Sequence, residues 1–566
     1  MTEREYPADG VGVAQTPVLE LVLRFGVRGR RVQELIAMLA DGGRWTHESA
    51  VAASGLSRRT VDDVLAAFGS AVQRAGREFW IRDDRAVPYL RELRAEPGEP
   101  PATEPGEPIT ADDHPARAEI TQLIDGAPRP RDDLDHVAAT PETLLRRARW
   151  LAGITPHTGL RLLCAGDHDL TSLTACLVCP RVQAVVADID EDLLAYIGEQ
   201  ARRLELPVRT FYADLRFALP PDLHRWADVT FTDPPYTPEG VALFAERGLE
   251  GLANREFGAV AVAYGFGEQV PALGLAVQQS LADLGLVFEA IYPDFNQYRG
   301  AQAIGGRSDL YVCRPTSQTW KRLSRGGPNP QLTIYSRGLR ATEAHNEALD
   351  KATEKALTDS ATRAGEIALT AVAGEGWHVT SETPKVQLTT LMQRGVPAHK
   401  GGRDGVAVNL DADPGPWLLR ALLAVNARQV AALVPNGHAD LASQAGQQVL
   451  HRLLDAKYRL RFRRSFPAPK LAIAEAAAVD PGDLDQAAYL RRYLLDRATS
   501  KLHNAWRDGL IATAQRFGWT PLSKNEARAI VAEAAADITS GVRLIDMPRA
   551  DLARLLDDAS ASLSGA

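Results

Sequence analysis

Short apolar runs alternate with amphipathic stretches between residues 160 and 314, and the first four runs each end in acidic residues. Leu160–Cys164 and Ala184–Ala187 have the length and apolar content of buried strands. A third segment ends at Asp214, Asp228–Thr232 is the fourth run and Ala259–Tyr264 follows it, with helical stretches between them. This alternation predicts a largely parallel α/β sheet. Because such sheets bind ligands at the carboxyl ends of their strands, the acidic residues there are candidates for a binding site.

The hydrophobic pattern divides the chain into five regions. The fold class that they predict is α/β: a Rossmann-like, methyltransferase-type sheet preceded by a winged-helix domain and followed by an α/β to helical extension. The predicted regions are a winged-helix-like domain over 1–94, a Pro-, Glu- and Gly-rich linker over 95–117, the Rossmann-like domain over 118–315, an α/β region over 316–480 and a helical region over 481–566.

Two parts of this division carry further expectations. In the first region Ser57–Phe68 would be the second helix of a helix-turn-helix, but Asp62 and Asp63 offset Arg58 and Arg59, which disfavours DNA binding. In the fourth region, residues 341–374 read as an Ala-rich helical stretch, and the strands after it repeat the order of the first sheet. A degenerate second sheet is one hypothesis for 316–480, and an unrelated α/β or helical domain is the alternative.

Composition narrows the class of protein. The 566 residues carry a formal charge of −8, which disfavours a protein built to grip phosphate backbones and suits cationic ligands. No apolar run reaches the ~20 residues of a membrane span and the N-terminus lacks a signal pattern, so a cytoplasmic protein without membrane contact is expected. The four cysteines, Cys164, Cys176, Cys179 and Cys313, fit buried thiols better than a metal or redox site.

The turn after the first strand, Gly166-Asp167-His168-Asp169, holds the first candidate site residues. Nucleotide-binding turns normally carry several glycines that let the backbone approach phosphate. This turn has one glycine and two carboxylates, which repel phosphate and attract cations. The turn therefore predicts a nucleoside site without phosphate beside a pocket for ammonium groups.

Three acids follow the second and third strands. Asp188 occupies the position at which Rossmann-type folds hold ribose hydroxyls. Asp190 either shares that ligand or caps the next helix. Asp214 is a candidate for contact with an adenine amine, and a surface turn is the alternative.

Asp233-Pro234-Pro235-Tyr236 follows the fourth strand and is the sharpest local motif. The two prolines restrict the backbone so that the acid and the ring point over the sheet edge together. An amine can hydrogen-bond to Asp233 while the ring of Tyr236 offers a cation–π contact.

With these motifs in place, the chain resembles the branched-chain polyamine synthases, also called bis(aminopropyl)spermidine synthases, from Pro128 to about Val312. The winged-helix-like domain also fits the layout of that family. The motifs that carry the resemblance are Leu134–His136, Thr140–Thr143, Gly166–Ser172, Asp188–Glu191, Asp214–Arg216, Asp233–Pro235 and Asp294–Tyr298.

The resemblance implies an enzyme that moves an aminopropyl group from decarboxylated S-adenosylmethionine to an amine of a spermidine-like acceptor. It implies catalytic roles for Asp167, His168, Asp169, Asp233 and Tyr236, donor binding by Gly166, Asp188, Asp190 and Asp214, no metal, and a homodimer as one assembly. The family motif is Gly-Asp-Asp-Asp, so His168 replaces the central acid, which is thought to address the attacking amine. That departure leaves the acceptor open.

Two other functions remain as alternatives. A methyltransferase that uses S-adenosylmethionine would also use a DPPY motif on an amine, but the acidic turn would face the donor's carboxylate. A regulator that binds DNA through the winged helix and senses a polyamine is disfavoured by the few basic residues on the second helix.

Overall fold

The structure is a computed structural model. It describes residues 17–40, 42–82, 114–156, 158–267, 269–299, 306–325, 334–335, 348–378, 383–396, 404–536, 538 and 541–565.

Four helices and a two-stranded antiparallel sheet form the N-terminal region. Thr46 caps the third helix in a capping box, and Gly55 ends it with φ +65°. The elements are α1 Pro17–Phe25, α2 Gly29–Leu39, α3 His47–Ser54, α4 Arg58–Phe68, β1 Val72–Ala75 and β2 Glu78–Ile81. This order of helices and hairpin agrees with the predicted elements, while the winged-helix assignment itself stays a prediction. The linker predicted over 95–117 falls almost entirely outside the described residues, and the next helix begins at Arg117.

Seven strands form the central sheet, in the order β5-β4-β3-β6-β7-β9-β8. The first five run parallel, and β9 is antiparallel to both of its neighbours. Their bounds are β3 Leu160–Ala165, β4 Val182–Asp188, β5 Val208–Tyr212, β6 Val229–Thr232, β7 Ala259–Tyr264, β8 Leu286–Gln297 and β9 Arg307–Pro315. The predicted methyltransferase-type sheet with a final antiparallel pair is confirmed.

Helices cover both faces of this sheet, as a series of parallel crossovers requires. Pro lies in the first turn of three of them, where its missing N–H costs nothing. The helices are α5 Arg117–Gly126, α6 Pro141–Ile154, α7 Thr171–Val178, α8 Glu191–Arg203, α9 Pro238–Gly251, α10 Pro271–Asp283 and α11 Ser317–Leu323.

The order of strands brings four turns to one place. The strand order reverses direction at β3, which lies between β4 and β6. The turns after β3, β4, β5 and β6 therefore all open at the same carboxyl edge, where doubly wound sheets bind ligands. Gly166, Asp188, Asp214 and Asp233 lie on those four turns or at the strand end.

A second sheet of six strands follows, in the order β11-β10-β12-β13-β15-β14. The first four are parallel, and β15 is antiparallel to β13 and β14. The strands are β10 Leu369–Ala373, β11 Lys385–Val386, β12 Gly405–Asn409, β13 Gln429–Pro435, β14 Tyr458–Arg463 and β15 Leu471–Ala478. If the edge strand β5 is removed from the first sheet, the remaining strands have the same order and directions. This topology supports the hypothesis of a degenerate copy, which stays a prediction.

The C-terminal helices are α12 Lys351–Thr362, α13 Leu388–Arg394, α14 Trp417–Ala424, α15 Ala439–Ala442, α16 Gln444–Leu454, α17 Gln486–Leu495, α18 Leu502–Arg516, α19 Lys524–Ala534 and α20 Arg549–Ala561. The reading of 341–374 as helical is wrong over 369–373, which form the parallel strand β10. Its Leu-Thr-Ala-Val-Ala sequence is a short apolar run, which periodicity alone cannot distinguish from a buried helix.

One continuous cluster of buried apolar side chains runs through both sheets and the helical end of the chain, from Leu162 to Trp417 and Leu556. The second sheet therefore packs against the first and shares its hydrophobic core. No helix in the described part of the chain combines the length and the apolar character needed to cross a membrane.

Candidate active site

The turn after β3 has the backbone that its sequence predicts. Gly166 has φ +74°, a conformation that favours glycine, and its N–H donates to the carbonyl of Ala187 at 2.9 Å. A Cβ at this position would lie 3.3 Å from the ring of Phe244 and 4.0 Å from a carboxylate oxygen of Asp188. A side chain here would enter the space in front of Asp188, which is the predicted ribose position.

Asp167 does not point into that space. Its carboxylate accepts hydrogen bonds from the backbone N–H of Ser172, at 3.2 Å to Oδ2, and from the hydroxyl of Ser172. It is 1% exposed, and burial raises its pKa well above the usual carboxyl value, with the charge of Asp169 adding to the shift. This arrangement makes Asp167 an acceptor for the first turn of α7 rather than a residue that faces a ligand.

Asp169 is held by a buried arginine that the sequence reading did not single out. Arg147 of α6 is fully buried and donates to Asp169 Oδ2, to Thr171 Oγ1 at 2.9 Å and to Asp233 Oδ2 at 2.9 Å. Its Nε donates to Asn296 Oδ1 at 2.8 Å. One guanidinium thus bridges the acidic turn after β3, the motif after β6 and strand β8.

Arg147 sets the charge of the two acids that it joins. Burial favours the neutral form of both carboxyls, but at Asp169 the guanidinium, helped by His168 and by the hydroxyl of Thr171, outweighs burial and lowers the pKa. At Asp233 burial prevails, and with the charge of Asp169 it keeps the pKa raised despite Arg147. The acidic edge predicted from the sequence is therefore partly neutralised from within.

Asp190 takes one of the two roles that the sequence left open for it, the helix cap, while the ribose role of Asp188 stays a prediction. Asp188 Oδ2 accepts from the N–H of Asp167 at 3.0 Å, and Oδ1 accepts from the N–H of Asp190 at 2.8 Å. Burial and the charge of Asp190 raise the pKa of Asp188 to about 6. Asp190 itself caps α8, accepting from the N–H groups of Asp192 and Leu193 at 3.1 and 3.3 Å.

Asp214 has both oxygens engaged. Oδ1 accepts from the backbone N–H and the Nε–H of Arg216 at 3.1 and 2.8 Å. Oδ2 accepts from Arg216 Nη2 at 2.6 Å and from the indole Nε1–H of Trp417 at 2.8 Å. Arg216 lowers the pKa of Asp214 despite its burial. The adenine contact predicted for this residue would compete with these four donors.

Asp233 sits in a hydrogen-bonded group of tyrosines. The hydroxyl of Tyr298 donates to Oδ2 at 2.7 Å, and that of Tyr236 donates to Oδ1 at 3.1 Å. The two hydroxyls are 3.0 Å apart. The motif therefore brings the acid and the ring of Tyr236 together as predicted, and Tyr298 comes from strand β8's end as a further partner.

His168 packs against a second histidine. Its ring stacks on His136 with centroids 4.7 Å apart and planes 9° apart. Burial, then the charges of His168 and Arg131, lower the pKa of His136 well below 6.5. His136 Nδ1 lies 3.9 Å from Asp190 Oδ2.

A cavity that is open to solvent lies at this edge. Among the predicted residues, Gly166, His168, Asp188, Asp214 and Asp233 line it, together with Phe244, Ile334 and Tyr335. Asp167, Asp169, Asp190 and Tyr236 are not in its wall.

Three residues at the cavity also have the geometry of a cation site. His168, Asp169 and Asp233 each offer one ligand atom, and these atoms lie within 4.8 Å of one another. Both carboxylates already accept hydrogen bonds from Arg147, whose charge repels a metal ion. The residues present therefore do not favour a resident metal.

The sequence analysis assigned no role to Arg147, Arg216 or Trp417, although the position of Arg147 in its helix indicated a buried charge. Arg147 lies three residues after Leu144 and four before Leu151, so it shares the apolar face of α6. A charged residue at such a position needs a buried partner. Trp417 contacts Asp214 although 203 positions separate them in the sequence, and no local pattern predicts such a contact.

The part of the chain that carries this site is similar to known proteins. The family model described as the branched-chain polyamine synthase A C-terminal domain matches residues 117–324. Residues 117–324 are thus similar to the branched-chain polyamine synthases. They include every predicted site residue.

Two curated relatives illustrate the extent of the likeness. An uncharacterized protein of Methanocaldococcus jannaschii is 36% identical over 189 residues, which are 33% of this chain and 46% of that protein. The N(4)-bis(aminopropyl)spermidine synthase of Thermus thermophilus is 32% identical over 177 residues, which are 30% of this chain and 51% of that protein. The chain thus spans about half the length of these relatives.

Among solved structures, the Thermus thermophilus branched-chain polyamine synthase in complex with N4-aminopropylspermidine and 5'-methylthioadenosine is 21% identical. The match covers 54% of this chain and 93% of that one, with a TM-score of 0.33.

Proposed function

We propose that this protein is an aminopropyltransferase that moves the aminopropyl group of decarboxylated S-adenosylmethionine to an amine of a polyamine. The observation that carries the proposal is that Asp188 and Asp233 face one cavity inside the segment that matches the polyamine synthase family model. The relatives named as N(4)-bis(aminopropyl)spermidine synthases support the same reaction class.

The donor would lie along the carboxyl edge of the sheet. Asp188 would accept hydrogen bonds from the ribose hydroxyls, as the corresponding acid does in Rossmann-type sites. Gly166 leaves room for the ribose, since a side chain there would point at Phe244 and Asp188. The donor carries no carboxylate or phosphate, which suits a wall that contains Asp188 and Asp233.

The reaction is a displacement at carbon. The amine nitrogen attacks the methylene carbon bonded to the sulfonium, an N–C bond forms, the C–S bond breaks, and 5'-methylthioadenosine leaves as a neutral thioether. An unperturbed alkylamine with a pKa near 10.4 is neutral in only on the order of one molecule in a few thousand at pH 7. Asp233 is suited to accept the proton of the attacking nitrogen because burial raises its pKa and it faces the cavity.

The substrate ammonium groups would be held near His168 and the tyrosine group. The ring of Tyr236 and the hydroxyl of Tyr298 lie next to Asp233. His168, in place of the family's acid, removes one negative charge there, so the acceptor that the site prefers is a separate question from the reaction class.

The decisive experiment is mass spectrometry of products formed from decarboxylated S-adenosylmethionine and a panel of polyamines that includes spermidine. We expect products heavier than the acceptor by one or more aminopropyl groups, and 5'-methylthioadenosine in equal amount. Asp233→Asn should lower the yield at least tenfold while nucleoside binding persists. Exposed Asp485→Asn, at a distant helix cap, is the matched control.

The same assay with S-adenosylmethionine tests the methyltransferase alternative. A methylated acceptor with S-adenosylmethionine, and no aminopropylated product with the decarboxylated donor, would overturn the proposal. Preference for the decarboxylated donor in a binding titration would support it.

A further inference from the structure

The donor cavity has walls that come from outside the family segment. Ile334 and Tyr335 line it, and both are almost fully buried. The hydroxyl of Thr237 donates to the carbonyl of Ile334 at 2.7 Å, and the ring of Tyr335 lies 5.6 Å from the guanidinium of Arg216. The second sheet then adds Trp417 behind Asp214. Ile334, Tyr335 and Trp417 all follow position 324, where the match to the family model ends.

Trp417 connects the second sheet to the donor cavity through one hydrogen bond and two ring contacts. Its indole Nε1–H donates to Asp214 Oδ2 at 2.8 Å, and the residue is 1% exposed. The guanidinium of Arg216 lies 5.0 Å from the Trp417 ring, and the ring of Phe217 lies 5.1 Å away. Trp417 and Arg216 together donate hydrogen bonds to both carboxylate oxygens of Asp214. Asp214 lines the cavity.

The turn that carries Trp417 is held rigidly. Asp413 Oδ1 accepts from the N–H of Gly415 at 2.7 Å and of Trp417 at 2.9 Å, and Oδ2 accepts from the N–H of Leu418 at 2.7 Å. His438 Nε2 lies 2.9 Å from the same oxygen, and both side chains are fully buried. These bonds fix the start of α14 and therefore the direction of the indole.

The position of this turn in the second sheet is informative. Trp417 follows β12, which corresponds in strand order to β6 of the first sheet, the strand that precedes Asp233. The second sheet thus presents its own carboxyl-edge turn to the carboxyl-edge turn after β5 of the first sheet. The contact therefore joins the carboxyl edges of the two sheets and not their outer faces.

We propose that the donor site is composite: Tyr335 forms part of its wall, and Trp417 is a positioning residue that fixes Asp214 and Arg216 behind the nucleoside. The inference rests on the proposed function and assigns the C-terminal half a role in nucleoside affinity. The transfer step stays with the groups around Asp233, so Trp417 acts on donor affinity and leaves the rate of transfer unchanged.

The test uses the full chain with 5'-methylthioadenosine as the binding probe in calorimetry. We expect Trp417→Phe to weaken nucleoside binding severalfold, because Asp214 and Arg216 lose the indole that holds them at the cavity wall. The KM for the donor should rise to a similar degree, while kcat and the KM for the amine stay within about twofold. Trp506→Phe is the matched control, since Trp506 is also fully buried and donates its indole N–H to Ser562 at 3.2 Å, away from the cavity.

A second variant covers the case in which Trp417→Phe fails to fold. Tyr335→Leu keeps an apolar wall but removes the ring beside Arg216, and it should also weaken nucleoside binding severalfold at unchanged kcat. Equal affinities for Trp417→Phe and Trp506→Phe, or an unchanged affinity for Tyr335→Leu, would overturn the inference. Failure of the proposed function would appear differently, as nucleoside binding by the wild type without aminopropyl transfer.

Discussion

His136 and His168 stack with their ring planes 9° apart and their centroids 4.7 Å apart. Two imidazoles at this distance disfavour a second positive charge, and burial together with the charge of His168 lowers the pKa of His136. His136 therefore favours its neutral form. His168 occupies the position at which the family motif has an acid. It lies beside the cavity that we propose to receive a polycation.

Restoring the acid at this position is the first prediction. His168→Asp adds a negative charge next to Asp169 and Asp233, which favours a bound ammonium group. We expect turnover of spermidine to be retained or raised, measured as kcat/KM at saturating donor. His451→Asp, at an exposed helical position, controls for the change in net charge. Complete loss of turnover in a folded His168→Asp protein would show that the imidazole has a function of its own.

The sequence was sufficient to place the edge but not to orient its side chains. The ends of β3, β4 and β6 were predicted within a few residues, because apolar runs and the glycine turn at Gly166 are local features. Asp190 was predicted as a cap or a ligand residue, and it caps α8 because the N–H groups of the first turn need an acceptor. Chain order also indicated a second sheet.

Orientation depends on donors that arrive from distant parts of the chain. Asp167 accepts locally from Ser172, whereas Asp169 turns towards Arg147, 22 residues earlier in α6. Asp214 is engaged by Trp417 from the other sheet. Hydrophobic periodicity reports that a position is buried, but it does not report which partner meets it there, so the neutralising role of Arg147 could not be predicted.

Arg147 should be indispensable for both stability and activity. Arg147→Met leaves Asp169 and Asp233 buried without their shared cation, and removal of one partner from such a group costs about 3–5 kcal/mol in the free energy of unfolding. Arg147→Lys keeps the charge but cannot donate to four acceptors in the geometry of a guanidinium. We expect it to fold with a much lower kcat.

Denaturant unfolding and steady-state kinetics check these two variants. Arg149→Lys and Arg149→Met, on the same helix and half-buried, are the matched controls. Wild-type stability in Arg147→Met would mean that the two acids are neutral in the folded protein and need no cation.

Nucleoside affinity should depend on pH through Asp188. Its pKa is raised to about 6, so the carboxylate that we propose to accept ribose hydrogen bonds is lost as pH falls through 6. We expect the affinity for 5'-methylthioadenosine to fall by up to about tenfold per pH unit between pH 6 and 5, the limit for one linked proton. Because this pKa is higher folded than unfolded, protonation of Asp188 stabilises the fold, and unfolding at this group would not explain the loss.

Calorimetry from pH 5 to 8 measures this dependence. Asp188→Asn should bind weakly at every pH and show little change across the range. A wild-type affinity that stays constant down to pH 5 would contradict the assignment of the ribose contact to Asp188.

The hydroxyl of Tyr298 should set the pH at which Asp233 can accept a proton. It donates to Asp233 Oδ2 at 2.7 Å, and this bond stabilises the ionised carboxyl and lowers its pKa, against the larger effect of burial. Tyr298→Phe removes the donor, so the pKa of Asp233 should rise further. The acidic limb of the kcat–pH profile should therefore move to higher pH, with activity recovered at alkaline pH. Tyr311→Phe, which loses a bond from Gln278 outside the cavity, is the control and should leave the limb in place. An identical profile in both variants would mean that another group accepts the proton of the attacking amine.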